Sequence, residues 1–443
     1  EYIHIVHTLD GVVDIGHFRG AYKTSKIFEI RKYFNRLEFV SINTAYYFEP
    51  GNPLSRAESA NINAAVLAAL EIVATDVETK AMLLKVDDMF LSENLYQIKP
   101  TPSPQAKPGT RFTLGSLNNK KCQYEALNNY PLNSDVVVKY VYDNPMPVNR
   151  GGPGITDPRA VHMVIQHSFI AVPKNDYDPR YDDPRVGYFM TQVTDLTSTS
   201  NTPYRDFIHR WNLVKKEPSA PISEPVDPIV FWIENTTPME FRPAVKEGVL
   251  RWNRAFRSAG FRNAIQVKVQ PDSTGWDAGD IRYNVLRWTS SPRPPFGGYG
   301  PSFTNPRTGE IIGADIMLEW AYLTNRVNLN LLFPEKGGNF CSAGSYTQEG
   351  NLLANLVSLT SESSSSDPKV VKQSIIRLAL HEVGHTLGLN HNFKASFLHD
   401  PVTVHNPKIT QKTGVTASVM ELSLIHISEP TRRYAISYAV FCL

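Results

Sequence analysis

One stretch near the C-terminus constrains this chain more than any other. Residues 378–393 are Leu-Ala-Leu-His-Glu-Val-Gly-His-Thr-Leu-Gly-Leu-Asn-His-Asn-Phe, and their apolar positions predict a mostly buried helix. Residues four apart share a helix face, so His381 and His385 can present ring nitrogens to one metal ion. Glu382 lies about 100° further round the helix. It is therefore placed to hold a metal-bound water rather than the metal itself.

The end of the same stretch supplies a third ligand. Gly388 is where the helix can end, because glycine adopts the left-handed conformation at low cost. The chain then turns back and brings in His391, whereas His399 and His405 follow without the motif spacing. Three neutral imidazoles leave a fourth tetrahedral position for water, as in catalytic zinc sites. The alternative, an amphipathic helix with satisfied histidines, is disfavoured because two His and a Glu suit an apolar helix face poorly.

These residues, continued by Lys-Ala-Ser, resemble the zinc motif of the metzincin metalloproteases. The sequence of this motif is most similar to that of a bacterial group of large secreted or cell-envelope metzincin-like proteases. In that group a β-rich domain of unknown function precedes the protease domain. The resemblance covers roughly residues 180–421 and extends more loosely to the N-terminus. It implies that Zn²⁺ is bound by three histidines, that a glutamate is the general base, and that a methionine forms the Met-turn under the site. In this sequence those residues are His381, His385, His391, Glu382 and Met420.

Composition limits the remaining possibilities. The chain has 443 residues, enough for two or three domains, and 42% apolar with 20% charged residues indicates a globular protein. A net charge of +2 gives no reason to expect a nucleic-acid or anionic-membrane partner. No apolar run approaches the length of about 18 residues that a transmembrane helix needs. Three cysteines exclude a disulfide framework.

We expect both ends of the sequence to be atypical. The chain begins with Glu1, so we interpret it as a fragment that lacks its true N-terminus and any signal peptide. Residues 422–432 are Leu-Ser-Leu-Ile-His-Ile-Ser-Glu-Pro-Thr-Arg, the translation of a transposase sequencing adapter. Residues 436–443 match the other end of the same adapter. We therefore expect residues 422–443 to be read-through and the protease domain to be truncated after residue 421.

Four prolines mark a predicted domain boundary, at Pro218, Pro221, Pro225 and Pro228. We predict a β-rich N-terminal domain over residues 1–224 and a catalytic domain over residues 225–421. Alternating apolar residues favour N-terminal strands near residues 2–6, 12–15, 37–40, 45–48, 136–142 and 162–172. Residues 64–74 fit a short helix or a strand about equally well. A proline-rich stretch over residues 99–110 is predicted to be an exposed loop.

The C-terminal half alternates between strand and helix patterns. Residues 229–233, 264–269 and 281–288 are predicted strands, and Val245, Val249, Trp252 and Phe256 form a helical stripe. The residues Thr-Pro-Met-Glu at 237–240 fit a capping box ahead of that helix. Residues 297–304 are predicted to approach an edge strand beside a strand over residues 310–318. A serine-rich segment before residue 368 is predicted to lie on the surface. The fold class is thus α+β, with a twisted sheet and an active-site helix in the C-terminal domain.

The function predicted from these residues is zinc-dependent endopeptidase activity on a protein or peptide substrate. By resemblance, the substrate adds antiparallel to the edge strand, and the protein is secreted or belongs to the cell envelope. Two alternatives remain open: a non-catalytic zinc-containing binding module or latent pseudoprotease, and a zinc hydrolase of non-peptide amides. The N-terminal domain fits an inhibitory pro-segment, a substrate-binding module or an anchor. The sequence gives neither the cleavage preference nor the oligomeric state.

Overall fold

The structure is a computed structural model, and it describes residues 1–101, 109–273, 275–291, 296–320 and 368–421. Most of the predicted proline-rich loop, the serine-rich segment before residue 368 and the predicted read-through tail lie outside the described residues. Among the helices that the structure describes, none combines the length and the apolarity that crossing a membrane requires.

A nine-stranded antiparallel sheet, here called the N-terminal sheet, organises the first half of the chain. Its strand order is β6-β5-β3-β2-β1-β10-β9-β7, with β8 also paired to β9. The strands are β1 (Tyr2–Asp10), β2 (Tyr22–Tyr33), β3 (Arg36–Ser41), β5 (Ala65–Thr75), β6 (Met82–Leu84), β7 (Ser116–Leu117), β8 (Gln123–Asn129), β9 (Asn133–Asp143) and β10 (Ala160–Ala171). Successive residues of a strand face opposite sides of a sheet, and β9 buries mostly alternate side chains. Residues 3–6 of β1 and 165–168 of β10 are buried without alternation, so these two strands are covered on both faces.

Small strand pairs and short helical turns complete the N-terminal half. The strands are β4 (Tyr46–Tyr47), β11 (Met190–Thr191), β12 (Thr194–Asp195), β13 (Phe207–Ile208) and β14 (Arg210–Trp211). The helical segments are α1 (Asp87–Phe90) and two 3₁₀ turns, Val13–Ile15 and Pro53–Ala57. The predicted β-rich character of the N-terminal region is therefore confirmed.

A seven-stranded mixed sheet, here called the C-terminal sheet, organises the C-terminal half of the chain. Its strands are β14 together with β15 (Ile229–Ile233), β16 (Ile265–Val269), β17 (Asn284–Thr289), β18 (Gly298–Tyr299), β19 (Ser302–Thr304) and β20 (Glu310–Glu319). The order β14-β20-β17-β15-β16 is parallel, whereas β18 and β19 pair antiparallel with β20. The predicted edge strand beside residues 310–318 is confirmed.

Two of the helices in the C-terminal half, those at 242–250 and 368–386, pack on this sheet. The helices are α2 (Arg242–Leu250), α3 (Asn253–Ser258), α4 (Pro368–Thr386) and α5 (Pro407–Thr413), with 3₁₀ turns at Phe393–Leu398 and Thr403–His405. Buried residues of α4, including Ile376 and Val383, share a core with Val245 of α2 and Ile316 of β20. A Cβ on Gly248 would lie 2.6 Å from the carbonyl oxygen of Ile376, so glycine lets α2 and α4 approach closely. The predicted α+β class is confirmed.

The N-terminal sheet contacts the edge of the C-terminal sheet. Ser25 Oγ of β2 donates a hydrogen bond of 2.9 Å to the Thr304 carbonyl of β19. The rings of His7 and Tyr22 lie 4.9 and 5.8 Å from that of Phe303. Next to this contact, the buried pair Arg287–Asp315 joins β17 and β20 at 3.1 Å. The two sheets therefore share an interface that includes the edge strand.

Three sequence-based predictions of local structure were wrong or incomplete. Residues 13–15 form a 3₁₀ turn rather than a strand, because Gly16 at φ +78° reverses the chain. The residues that fitted helix or strand equally well form β5, since pairing with β3 on one side and β6 on the other satisfies their backbone. The predicted capping box does not form: α2 begins at Arg242, and its N-cap residue Phe241 offers no side-chain hydrogen bond.

Candidate metal centre

Helix α4 positions the first three predicted site residues. His381, Glu382 and His385 lie in its last two turns, with His381 and Glu382 only 1% and 2% exposed. Two indole groups hold this end of the helix. Trp252 Nε1 donates 2.8 Å to the Leu380 carbonyl, and Trp211 Nε1 donates 2.8 Å to the Thr386 carbonyl. The helix is thus fixed on both sides of its histidines.

Helix α4 ends near Gly388, as the sequence predicts. Gly388 has φ +95°, its N–H donates to the His385 carbonyl at 3.0 Å, and the Leu389 N–H donates to the Gly384 carbonyl at 3.1 Å. These two bonds are the Schellman pattern of helix termination. The reversal brings His391 back beside the helix, where its Nε2 lies 3.1 Å from His385 Nε2.

The three predicted histidines converge. Ligand atoms of His381, His385 and His391 all lie within 4.8 Å of one another, and they form the candidate metal cluster among the described residues. His399 is engaged elsewhere, with its Nε2 2.9 Å from the Gly414 carbonyl. The structure therefore brings together the set with the motif spacing.

Hydrogen bonds decide which ring nitrogens face the centre. His381 Nδ1 lies 2.8 Å from the Val419 carbonyl, and His385 Nδ1 lies 2.8 Å from the Leu389 carbonyl. A carbonyl can only accept, so each Nδ1 carries the proton and each Nε2 presents a lone pair. This orientation by a backbone carbonyl is typical of metal-binding histidines.

The donor set fits a zinc ion. His381 Nε2 and His385 Nε2 lie 3.1 Å apart, and two lone pairs at that distance repel unless a cation lies between them. Burial lowers the pKa of His381 to about 2 and that of His385 to about 4, so a shared proton is disfavoured. Ligands in a tetrahedral site with metal–nitrogen bonds of about 2.0 Å stand roughly 3.3 Å apart. The observed spacing is close to that requirement.

The side chain of Glu382 extends from α4 towards the edge strand β18. Its carboxyl accepts the Gly300 N–H, and burial is the larger effect, raising its pKa to about 8. A Cβ on Gly298 would lie 2.6 Å from Glu382 Oε1, so β18 passes directly over the carboxyl group. The sequence did not reveal either glycine contact.

Met420 lies beneath the site. It is 1% exposed, and a Cβ on Gly384 of α4 would overlap its sulfur atom. Its carbonyl accepts the Asn392 N–H at 2.9 Å, one residue after His391. The next residue, Glu421, accepts the Ser396 N–H at 2.8 Å, a contact that the sequence analysis missed. The segment over residues 419–421 thus supports the helix and the third histidine together.

Comparison with known protein families gave two matches. Residues 24–216 match a family model described as a domain of unknown function (DUF5117). Residues 363–433 match a family model described as Met-zincin, and this match ends inside the predicted read-through tail. No curated protein and no solved structure matches the chain.

Proposed function

Because residues 363–433 match a Met-zincin family model and contain a cluster of three histidines, we propose that this chain is a zinc-dependent endopeptidase. The observation that carries the proposal is the convergence of three imidazole Nε2 atoms beside a buried glutamate. His381, His385 and His391 would hold the Zn²⁺ ion, and Glu382 would be the general base. Gly388 and Met420 would keep these groups in place.

Zinc bound there would lower the pKa of its bound water towards about 7 and polarise a carbonyl as a Lewis acid. Glu382 accepts the proton of the attacking water on a carboxylate oxygen. It passes that proton to the amine nitrogen as the peptide C–N bond breaks. The base must be ionised for this step, and a cation held by the neighbouring histidines favours the ionised form over the protonated form that burial favours.

A purely structural or binding role is the main alternative. Structural zinc sites are usually closed by a fourth protein ligand, whereas the cluster found among the described residues comprises three histidines. A structural site also needs no buried carboxyl group beside it. The placement of Glu382 therefore favours catalysis over a zinc-stabilised binding module.

Peptides, rather than other amides, are the proposed substrates because an antiparallel edge strand lies beside the catalytic glutamate. Strands β18 and β19 pair with β20 on one side, and Gly300 of this stretch donates to Glu382. An extended peptide added to such an edge gains backbone hydrogen bonds over several residues. We further propose that residues 225–421 form the catalytic domain, and that residues 1–224 are a β-rich domain whose last strand, β14, joins the C-terminal sheet by pairing with β20. We also propose that the protein acts outside the cytoplasm.

The test combines zinc content and casein cleavage, measured on the purified chain and on Glu382→Gln. We expect about one zinc per chain in both proteins, and a loss of turnover of at least about a hundredfold in the variant. Glu310→Gln is the matched control, because Glu310 is also a buried glutamate whose pKa burial raises. Zinc binding with no cleavage by the unaltered chain would favour the latent or binding-module alternative.

A further inference from the structure

A short segment far upstream lies against the turn that follows α4. The Phe189 N–H donates 2.7 Å to the Gly388 carbonyl, and the Asn390 N–H donates 3.2 Å to the Gly187 carbonyl. Tyr188 and Leu389 form an antiparallel bridge between these two bonds. Residues 187–189 thus pair with residues 388–390 as a miniature two-stranded ladder.

Side chains strengthen the same contact. Asn390 Nδ2 donates 3.2 Å to the Tyr188 carbonyl. The ring of Phe189 lies 5.5 Å from the ring of His385. The upstream segment therefore touches the loop between the second and third histidines and also one of the histidines directly.

His209 supports this ladder from behind. Its N–H donates 2.8 Å to the Phe189 carbonyl. Its own carbonyl oxygen occupies the space that a Cβ on Gly388 would need. Glycine is therefore required at position 388 for two reasons: the backbone has a positive φ, and the His209 carbonyl leaves no room for a side chain.

We propose that residues 187–189, backed by His209, are a positioning clamp for His385 and His391. This clamp presupposes the proposed metal centre and acts through Leu389, whose carbonyl accepts a hydrogen bond of 2.8 Å from His385 Nδ1 and so orients the ring. The clamp holds Leu389 by its two neighbours, Gly388 and Asn390, and so fixes both the ring angle of His385 and the return of the chain to His391. All clamp residues lie upstream of residue 224, so a part of the chain predicted to be a separate domain completes the centre.

Gly187→Ala tests the clamp with little other change. Gly187 does not have a positive φ, so alanine can adopt its backbone, but the new Cβ would overlap Asn390 Oδ1. Gly154→Ala is the matched control, because a Cβ there meets nothing within 4 Å and its φ is not positive. The probes are Zn²⁺ affinity by chelator competition and the visible absorption of the Co²⁺-substituted protein, which reports ligand geometry.

We expect Gly187→Ala to bind Zn²⁺ several-fold more weakly, which is less than the roughly 10- to 100-fold effect of deleting a direct partner of a metal ligand, because the Leu389 carbonyl is shifted and not lost. Its Co²⁺ spectrum should shift, and kcat should fall more than KM rises, while Gly154→Ala matches the unaltered protein in every readout. Asn390→Ala, which deletes only the donor to the Tyr188 carbonyl, should show a smaller change of the same kind. If Gly187→Ala does not fold, the same measurements on Asn390→Ala test the clamp.

Backbone hydrogen exchange of the metal-free protein separates failure of the clamp from failure of the metal centre. Faster exchange at the Phe189 and Asn390 amides of Gly187→Ala, with unchanged Zn²⁺ affinity and Co²⁺ spectrum, would overturn the clamp and leave the centre intact. Absence of Zn²⁺ and Co²⁺ binding in the unaltered protein would instead overturn the metal centre and, with it, the clamp.

Discussion

Replacing Gly298 by alanine should displace Glu382, the proposed general base, without contacting the three proposed metal ligands. Gly298 does not have a positive φ, so alanine can take its place in β18 without backbone strain. Its Cβ would lie 2.6 Å from both Cγ and Oε1 of Glu382, and 2.7 Å from Cδ. The new methyl group and the carboxyl group cannot both keep these positions.

The size of the effect follows from these distances. Non-bonded heavy atoms prefer separations of about 3.5 Å or more, so the carboxyl group or the strand must move by roughly 1 Å. The strand is held by its pairing with Leu318, and Glu382 is only 2% exposed, which leaves little free space. A misplacement of about 1 Å can reduce a rate on the order of a hundredfold, equivalent to about 2.7 kcal/mol of transition-state stabilisation.

The assay is kcat and KM for a fluorogenic peptide, together with zinc content, for Gly298→Ala and for the control Gly154→Ala. We expect kcat to fall about a hundredfold with unchanged zinc content in the first variant, and no change in the control. Unchanged kcat in Gly298→Ala would refute the placement of the carboxyl group under β18. Loss of zinc would show that the effect acts on the histidines instead.

Two further predictions concern stability. Burial lowers the pKa of His167 to about 3, so the unfolded state binds the extra proton first and the free energy of unfolding falls as pH drops below about 6.5. From pH 7 to pH 5 this one group lowers that free energy by about 2 kcal/mol. In urea unfolding, the difference between the two pH values should be smaller by this amount in His167→Gln, and an unchanged difference would contradict the assignment. Met420→Ala should lower the free energy of unfolding by about 2–5 kcal/mol, whereas Met420→Leu, which nearly keeps the side-chain volume, should lower it by less than about 1.5 kcal/mol. Equal losses in the two variants would contradict close packing of Met420 under α4.

Sequence spacing predicted the parts of the centre that depend on local structure. The three histidines and Glu382 lie on one helix and the turn after it, so their relative placement follows from helical geometry and from one left-handed glycine. The positions of β15, β16 and β17 along the chain were also predictable, because each contains a short run of apolar residues.

Long-range pairing was not predictable in the same way. Strand β2 was missed because its first half contains Lys, Thr and Ser, and only Ile27 and Phe28 are buried. Residues 65–75 became a strand because β3 and β6 offered partners, not because of a local preference. The capping box failed for a local reason instead: the Thr237 N–H donates to the Glu234 carbonyl in a turn ahead of the helix.

The glycines of the centre show why the rest of the site escaped a sequence-based prediction. Gly388 has a positive φ, which is the property that rules for helix ends recognise. Gly187, Gly298 and Gly300 do not, and a Cβ on any of them would instead press on Asn390 or Glu382. Each is required by what lies opposite it in space, and that neighbour is distant in sequence. Sequence rules detect a glycine that shapes its own backbone, whereas a glycine that makes room for another segment is recognised only once the two segments are seen in contact.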